Sequence, residues 1–330
     1  MTRGDMWHIL TLNNILKDGY WDENPRPHYE DIYEDAIYNE ETRTVTEAGG
    51  YTFRLKENQS VKCGGGSQPG KVVVCTPAHT LSINHVVQKY DLSKGECPIE
   101  TLRPIAWKSA IKEILWIYQM QSNKLSDLHD LGVFYWDDWD IGDGTIGCRY
   151  GETVRKHKLT DKRLKGLKAD PFGRRHIISL LQEDDFDDET GGTTKGLIPC
   201  CYETIWNVRR GQDGELYLDM LMNQRSSDYE TSCAINEIQY IALQMMFAAD
   251  CGYKPGIFTH VIDNVQIYDR HIKQVNEILS RNPVECTPTL VLHSEGKGFY
   301  DFTIDDFEML DYPLQKIKDV NPQLHFDLGI

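Results

Sequence analysis

Two thiols in Leu197-Ile198-Pro199-Cys200-Cys201-Tyr202 stand a short distance upstream of Asn223-Gln224-Arg225-Ser226-Ser227-Asp228. A thiol attacks as its thiolate, and a nearby guanidinium favours that form. Arginine beside a hydroxyl also makes a phosphate clamp, because its planar fork donates parallel hydrogen bonds to anionic oxygens. A nucleophilic sulfur close to such a clamp points to covalent chemistry on a nucleotide.

The elements that must position these residues belong to a chain of 330 residues, 40% hydrophobic and 26% charged, long enough to bury a full core. A net charge of −16 argues against a nucleic-acid partner, which needs a basic face, so local arginine clusters carry extra weight. No apolar run is long enough to span a bilayer, and Met1-Thr2-Arg3-Gly4-Asp5 opens no signal peptide because no apolar stretch follows it. A cytoplasmic location is therefore expected. The nine cysteines include no Cys-x-x-Cys pair, so no metal site is expected and most thiols read as buried and reduced. Cys200 becomes an exception only through its neighbours.

Residues 7–18 show helical spacing and stop at Gly19. Residues 105–120 and 235–249 read as largely buried helices. Strands are expected at 81–87, 175–180, 201–208, 215–222, 257–267 and 288–293. The stretch of about 31–75 is polar and acidic, then Gly- and Ser-rich at Cys63-Gly64-Gly65-Gly66-Ser67. It reads as a surface insertion with a hairpin around Tyr51-Thr52-Phe53-Arg54-Leu55, flanked by mobile loops. Helices and strands mix without strict alternation. The expected fold class is α+β, one domain over 1–330 built on a large mixed sheet with flanking helices.

The order of motifs resembles the thymidylate synthase family. The likeness runs through Ala106-Trp107-Lys108-Ser109-Ala110-Ile111-Lys112-Glu113, Tyr135-Trp136-Asp137-Asp138-Trp139 and Gly147-Cys148-Arg149-Tyr150-Gly151. It continues through Arg174-Arg175, Pro199-Cys200, Gln224-Arg225-Ser226-Ser227-Asp228, Asn236 and Ile267-Tyr268-Asp269-Arg270-His271. Several motifs in order over most of a chain are specific where one alone is not. Thr76-Pro77-Ala78-His79-Thr80-Leu81-Ser82 and Phe299-Tyr300-Asp301-Phe302 are most like Gram-positive bacterial forms.

The resemblance implies dUMP and 5,10-methylenetetrahydrofolate as substrates, no metal, and a homodimer whose sheets pack face to face. Cys200 would attack C6 of the uracil ring, and Tyr150 would assist removal of the C5 proton. Glu113, set among Ile111, Ile114, Leu115 and Trp116, reads as a partly buried carboxyl with a raised pKa, fit for a proton shuttle. Arg225 and Ser226 would hold the phosphate beside Gln224, with Arg174 and Arg175 reaching in from the partner subunit. Asn236 matches the uracil-reading asparagine, whose carboxamide can pair with N3–H and O4 together; as a residue alone it also reads as a helix N-cap. Asp228 would bond the pterin ring, and Trp136 and Leu197 would shield the reaction from water. Tyr268 would hold the ribose.

Some positions depart from the family pattern. Cys201 stands where a histidine is usual, and Gln266 replaces a ribose-binding histidine. Thr231-Ser232-Cys233-Ala234-Ile235 alters the loop before Asn236. No arginine directly precedes Thr76, and Arg26 is assigned to the phosphate in its place. Two alternatives stay open: a dUMP 5-hydroxymethylase, which adds water instead of hydride, and a non-catalytic nucleotide-binding relative.

Overall fold

The computed structural model of the chain describes residues 1–23, 25, 27–62, 69–185 and 197–329. Arg26 and the Cys63–Ser67 run lie outside the described residues. Among those described, the strands are β1 (Tyr20–Trp21), β2 (His28–Asn39), β3 (Thr44–Thr46), β4 (Thr52–Arg54), β5 (Ser60–Val61), β6 (Gly70–Pro77) and β7 (Thr80–Asp91). They continue with β8 (Ile177–Ser179), β9 (Cys201–Arg210), β10 (Leu216–Asp228), β11 (Lys254–Tyr268), β12 (Thr289–Leu292) and β13 (Phe307–Leu310). The helices are α1 (Arg3–Asp18), α2 (Trp107–Tyr118), α3 (Leu125–Asp130), α4 (Gly151–His157), α5 (Leu159–Ala169), α6 (Ala234–Cys251), α7 (Ile272–Ser280) and α8 (Leu314–Val320).

Thr2 starts α1 with a capping box: its hydroxyl accepts from the Asp5 amide at 2.9 Å, and Asp5 accepts from the Thr2 amide at 2.8 Å. Leu12 and Ile15 form its buried stripe. The two helices read as buried, α2 and α6, pack together on one face of the main sheet. There Trp206 of β9 stacks on Phe247 of α6 with centroids 4.7 Å apart. Gly252, at φ 73°, ends α6 in the left-handed conformation.

The main sheet has the order β1-β7-β11-β10-β9-β8. Among the described residues only the β10–β11 pair of this sheet is parallel, so the fold is α+β on a mixed sheet, as the sequence implied. Strand alternation buries Leu218, Met220, Met222 and Phe258 against the helices. The opposite face leaves Ile205, Leu221 and Val261 half-buried.

Residues 28–77 hold more structure than one hairpin. Besides the expected β3–β4 pair, they form a five-stranded sheet, order β4-β3-β2-β6-β5. Ala36, Val45, Leu55, Val72 and Val74 make its small core. The acidic residues of β2 mask its pattern, because Tyr29 and Ala36 are its only buried positions. Tyr29 ties this sheet to the main body, its hydroxyl 2.6 Å from Asp269. Asp31 does so as well, paired with both outer nitrogens of Arg270 at 2.9 and 3.0 Å. The strand expected from residue 175 begins at Ile177 instead. The Arg175 carbonyl accepts from Arg163 of α5 at 3.0 Å and buried His176 lies 2.7 Å from the Asp170 carbonyl. Before Ile177 the loop is thus held by α5 and its C-terminal end, as well as by the Trp206 amide of β9, which donates to the His176 carbonyl at 2.8 Å.

Candidate active site

Cys200 sits just ahead of β9, where a register shift opposite Asn223 and Gln224 lets the Arg225 amide bond the Cys200 carbonyl at 3.0 Å. The Arg225 side chain returns to the same loop. Its Nε lies 3.1 Å from the Pro199 carbonyl, and one outer nitrogen lies 2.8 Å from the Ile198 carbonyl and 3.7 Å from the Cys200 sulfur. Burial pushes the Cys200 thiol above its ordinary pKa and Arg225 pulls it down, with burial the stronger. The guanidinium thus acts in the expected direction without making a resting thiolate. Cys201 points the other way, into the main core, and burial holds its thiol far above the ordinary range.

Tyr150 meets this loop from the start of α4, its hydroxyl oxygen accepting from the Cys200 amide at 3.1 Å. It holds φ 48° and ψ −108°, a strained backbone for a residue with a side chain, of order 1–3 kcal/mol. The next position must be glycine, since a Cβ on Gly151 would stand 1.9 Å from the Ser122 carbonyl oxygen. Trp136 packs edge-on against Tyr150 at 5.1 Å between centroids. Leu197 is half-buried against the same core.

Glu113 on α2 is 4% exposed. Burial pushes its pKa up to about 7, while the hydrogen bond from Tyr135 pulls the other way. Gln239 accepts from Asn236 Nδ2 at 3.1 Å, and Asn236 Oδ1 accepts from Gln224 at 3.2 Å. One polar chain therefore runs from Gln239 and Asn236 on α6 to Gln224 on β10. The sequence reading gave Gln239 and Tyr135 no site role, although the three-residue spacing places Asn236 and Gln239 on one helix face.

Asp228 closes β10 beside Gln266 on β11, its partner in register. The altered loop turns out to serve it. Thr231 donates to Asp228 Oδ2 at 2.6 Å and Ser232 donates to its carbonyl at 2.9 Å, across a widened helical turn at Tyr229–Cys233. Burial raises the Asp228 pKa while His271, 3.8 Å away, opposes it. Asp228 Oδ1 accepts no hydrogen bond among the described residues. Tyr268 is buried between Tyr29 and His271. The chain's last residues also come here: His271 lies 2.7 Å from the Asp327 carbonyl, and Gly329 packs against the Tyr268 ring. Arg174 and Arg175 are exposed and do not join this cluster within one chain.

Below the widened turn lies a buried charge cluster. Arg103 pairs with Glu100 at 3.1 Å and Glu230 at 3.6 Å, and His8 lies within 3.3 Å of both carboxylates. Burial lowers the His8 pKa, but the two carboxylates outweigh it and hold it above its ordinary value. Removing one member leaves an uncompensated buried charge. Arg103→Met is expected to destabilise the chain by about 3–5 kcal/mol in urea unfolding, and a loss below about 1 kcal/mol would refute that.

The family model described as thymidylate synthase matches residues 59–321. The chain belongs to the thymidylate synthase family. It is similar to the thymidylate synthase of Streptococcus pneumoniae, 42% identical over 333 residues with all of both chains covered. That of Streptococcus sanguinis is 45% identical over 299 residues, covering 90% of this chain and 99% of the relative. Among solved structures, the thermostable thymidylate synthase A of Bacillus subtilis matches with a TM-score of 0.73 at 31% identity, covering 99% of both chains. Membership in the thymidylate synthase family, and the likeness to Gram-positive forms, agree with the motif order.

Proposed function

We propose that the chain methylates dUMP to dTMP with 5,10-methylenetetrahydrofolate, through a covalent bond between Cys200 and uracil C6. The supporting observation is the polar chain that joins Gln239, Asn236 and Gln224, together with a buried Glu113 carboxyl held near neutrality, while Tyr150 and Arg225 bracket Cys200. The Cys200 sulfur adds to C6 as its thiol proton leaves, and charge moves to C5 and O4. Glu113, with its carboxyl near neutrality, supplies a proton toward O4 and takes it back. Asn236 offers an acceptor to N3–H and a donor to O4. Tyr150 assists loss of the C5 proton, and elimination of Cys200 frees the product.

The folate supplies the one-carbon unit and the hydride. Asp228 fits it: a buried carboxylate oxygen without a hydrogen-bond partner suits a pterin N–H. Trp136 and Leu197 exclude water from the reacting carbon, which favours hydride transfer over hydration. Arg225, Ser226 and Arg26 hold the phosphate, and Gln266 and Tyr268 hold the ribose. Mass spectrometry of the nucleotide product tests the whole reading. dTMP with equimolar dihydrofolate is expected; a hydroxymethyl nucleotide with unoxidised tetrahydrofolate would sink it.

The active form is a homodimer, in the cytoplasm, with residues of about 31–75 a surface insertion to a single domain. The half-buried apolar face carrying Ile205, Leu221 and Val261 is the surface that a second copy covers. Exposed Arg174 and Arg175 then serve the partner's phosphate. Mixing inactive Arg175→Ala and Cys200→Ala chains should restore activity, since one heterodimer site carries neither defect. No recovery under proven subunit exchange counts against a shared site.

A further inference from the structure

Behind the residue that meets the base lies a chain of buried side chains whose donors and acceptors can be assigned one by one. Gln224, Glu237 and His260 are 1%, 4% and 0% exposed. Gln224 Nε2 lies 2.9 Å from the Ser226 carbonyl oxygen. A carbonyl only accepts, so this end of the Gln224 amide is the donating NH2. Its second hydrogen goes to Asn236 Oδ1 at 3.2 Å. Gln224 Oε1 therefore faces His260 Nε2, 2.8 Å away, and that nitrogen must carry a hydrogen.

The other side of the imidazole is also committed. His260 Nδ1 lies 3.0 Å from Glu237 Oε1, and Tyr90 donates to Glu237 Oε2 at 3.1 Å. A proton lies between Nδ1 and Oε1 whichever atom holds it. Cys233 comes within 4.8 Å of both groups, yet both ring nitrogens are already used in hydrogen bonds. The imidazole thus presents Nε2–H to Gln224. The second amide follows from the first: Asn236 Oδ1 faces the donating NH2 of Gln224, so its other end, Nδ2, is the donor and meets Gln239 Oε1 at 3.1 Å.

We propose that His260, backed by Glu237, is a positioning residue that makes the site select uracil over cytosine by fixing the amides of Gln224 and Asn236. The proposal rests on Asn236 as the base reader. In the orientation set by the relay, Oδ1 remains an acceptor for N3–H and Nδ2 a donor for O4. Turned by half a rotation, the same amide would offer a donor to the bare N3 of cytosine and an acceptor to its amino group. The two orientations are nearly equal in shape, so only their hydrogen-bond partners separate them. His260 Nε2–H is met by the Gln224 oxygen alone, and it removes the flipped alternative at a buried site where an unpaired polar group is costly.

The test is calorimetric binding of dUMP and dCMP, which does not depend on turnover. His260→Phe keeps a flat ring without the donor, and should cut the dUMP-over-dCMP ratio of Kd values by about tenfold or more. His260→Gln, which can donate an N–H to Gln224, should stay within about threefold of the parent. A role in packing alone would not separate the two variants by base preference. An unchanged ratio in a normally melting His260→Phe overturns the proposal, as does a His260→Gln that discriminates no better than His260→Phe. Should His260→Phe fail to fold, nitrogen-15 NMR of the parent chain decides. A protonated Nε2 at His260 supports the relay, and a bare Nε2 with a lone proton at Nδ1 overturns it. Intact base preference without dTMP formation would count against the proposed reaction and not against the relay.

Discussion

Cys200→Ala is expected to abolish turnover while dUMP still binds, because it removes the attacking atom and leaves the phosphate and base contacts in place. Cys201→Ala is expected to retain most activity and cost about 1 kcal/mol in stability. The two thiols are adjacent in sequence and opposite in environment. The Cys200 sulfur lies 3.7 Å from the Arg225 guanidinium, and its backbone amide bonds Tyr150. The Cys201 side chain is buried in the main core, where burial disfavours the thiolate strongly. Burial also raises Cys200, so a free, reactive thiolate is not its resting state. Slow alkylation of Cys200 in the unliganded enzyme is therefore expected. If Cys200→Ala turned over dUMP and Cys201→Ala did not, the nucleophile would be the wrong member of the pair.

What could be read without coordinates was the part written locally. The buried helices around Glu113 and Asn236 show in runs of apolar residues, and the strands β9, β10 and β11 in their alternation. The raised pKa of Glu113 followed from its apolar helix neighbours, and the structure bears that out. The 28–77 sheet was read only as a hairpin, because its longest strand carries acidic residues at the exposed positions and buries just two side chains. His260, Glu237 and Gln239 were missed for a different reason. Each looks like an ordinary polar residue in its own element, and their link appears only when β10, β11 and α6 are brought together. Thr231 and Ser232 were read as departures that unsettle the site, whereas they bond Asp228 directly. The resemblance assigned Arg174 and Arg175 to the partner subunit's phosphate, and within one chain both are exposed and do not join the Cys200 cluster.

Glu113→Gln should lower kcat by about 10²–10⁴-fold while changing dUMP affinity much less. The amide keeps the shape and an oxygen for Tyr135 but cannot give a proton and take it back. The parent enzyme's kcat/KM should bend downward above about pH 7, where burial places the Glu113 pKa, as the proton-bearing form is lost. The variant should lack that bend. Stability carries a second signature with a definite sign. The folded pKa of about 7 stands above the ordinary 4.5, so the folded state binds an extra proton between those values. That contribution is fully present below about pH 4.5 and is lost as pH rises through about 7, whereas glutamine has no such dependence. The variant should therefore gain stability relative to the parent from pH 5 to pH 8 in paired urea titrations, a range of roughly three units around the transition. Two separate measurements thus bear on one carboxyl. A variant within about threefold of parental kcat would remove Glu113 from the chemistry. A parallel pair of stability curves would instead show that its carboxyl ionises as an ordinary exposed one does, against the buried setting on α2.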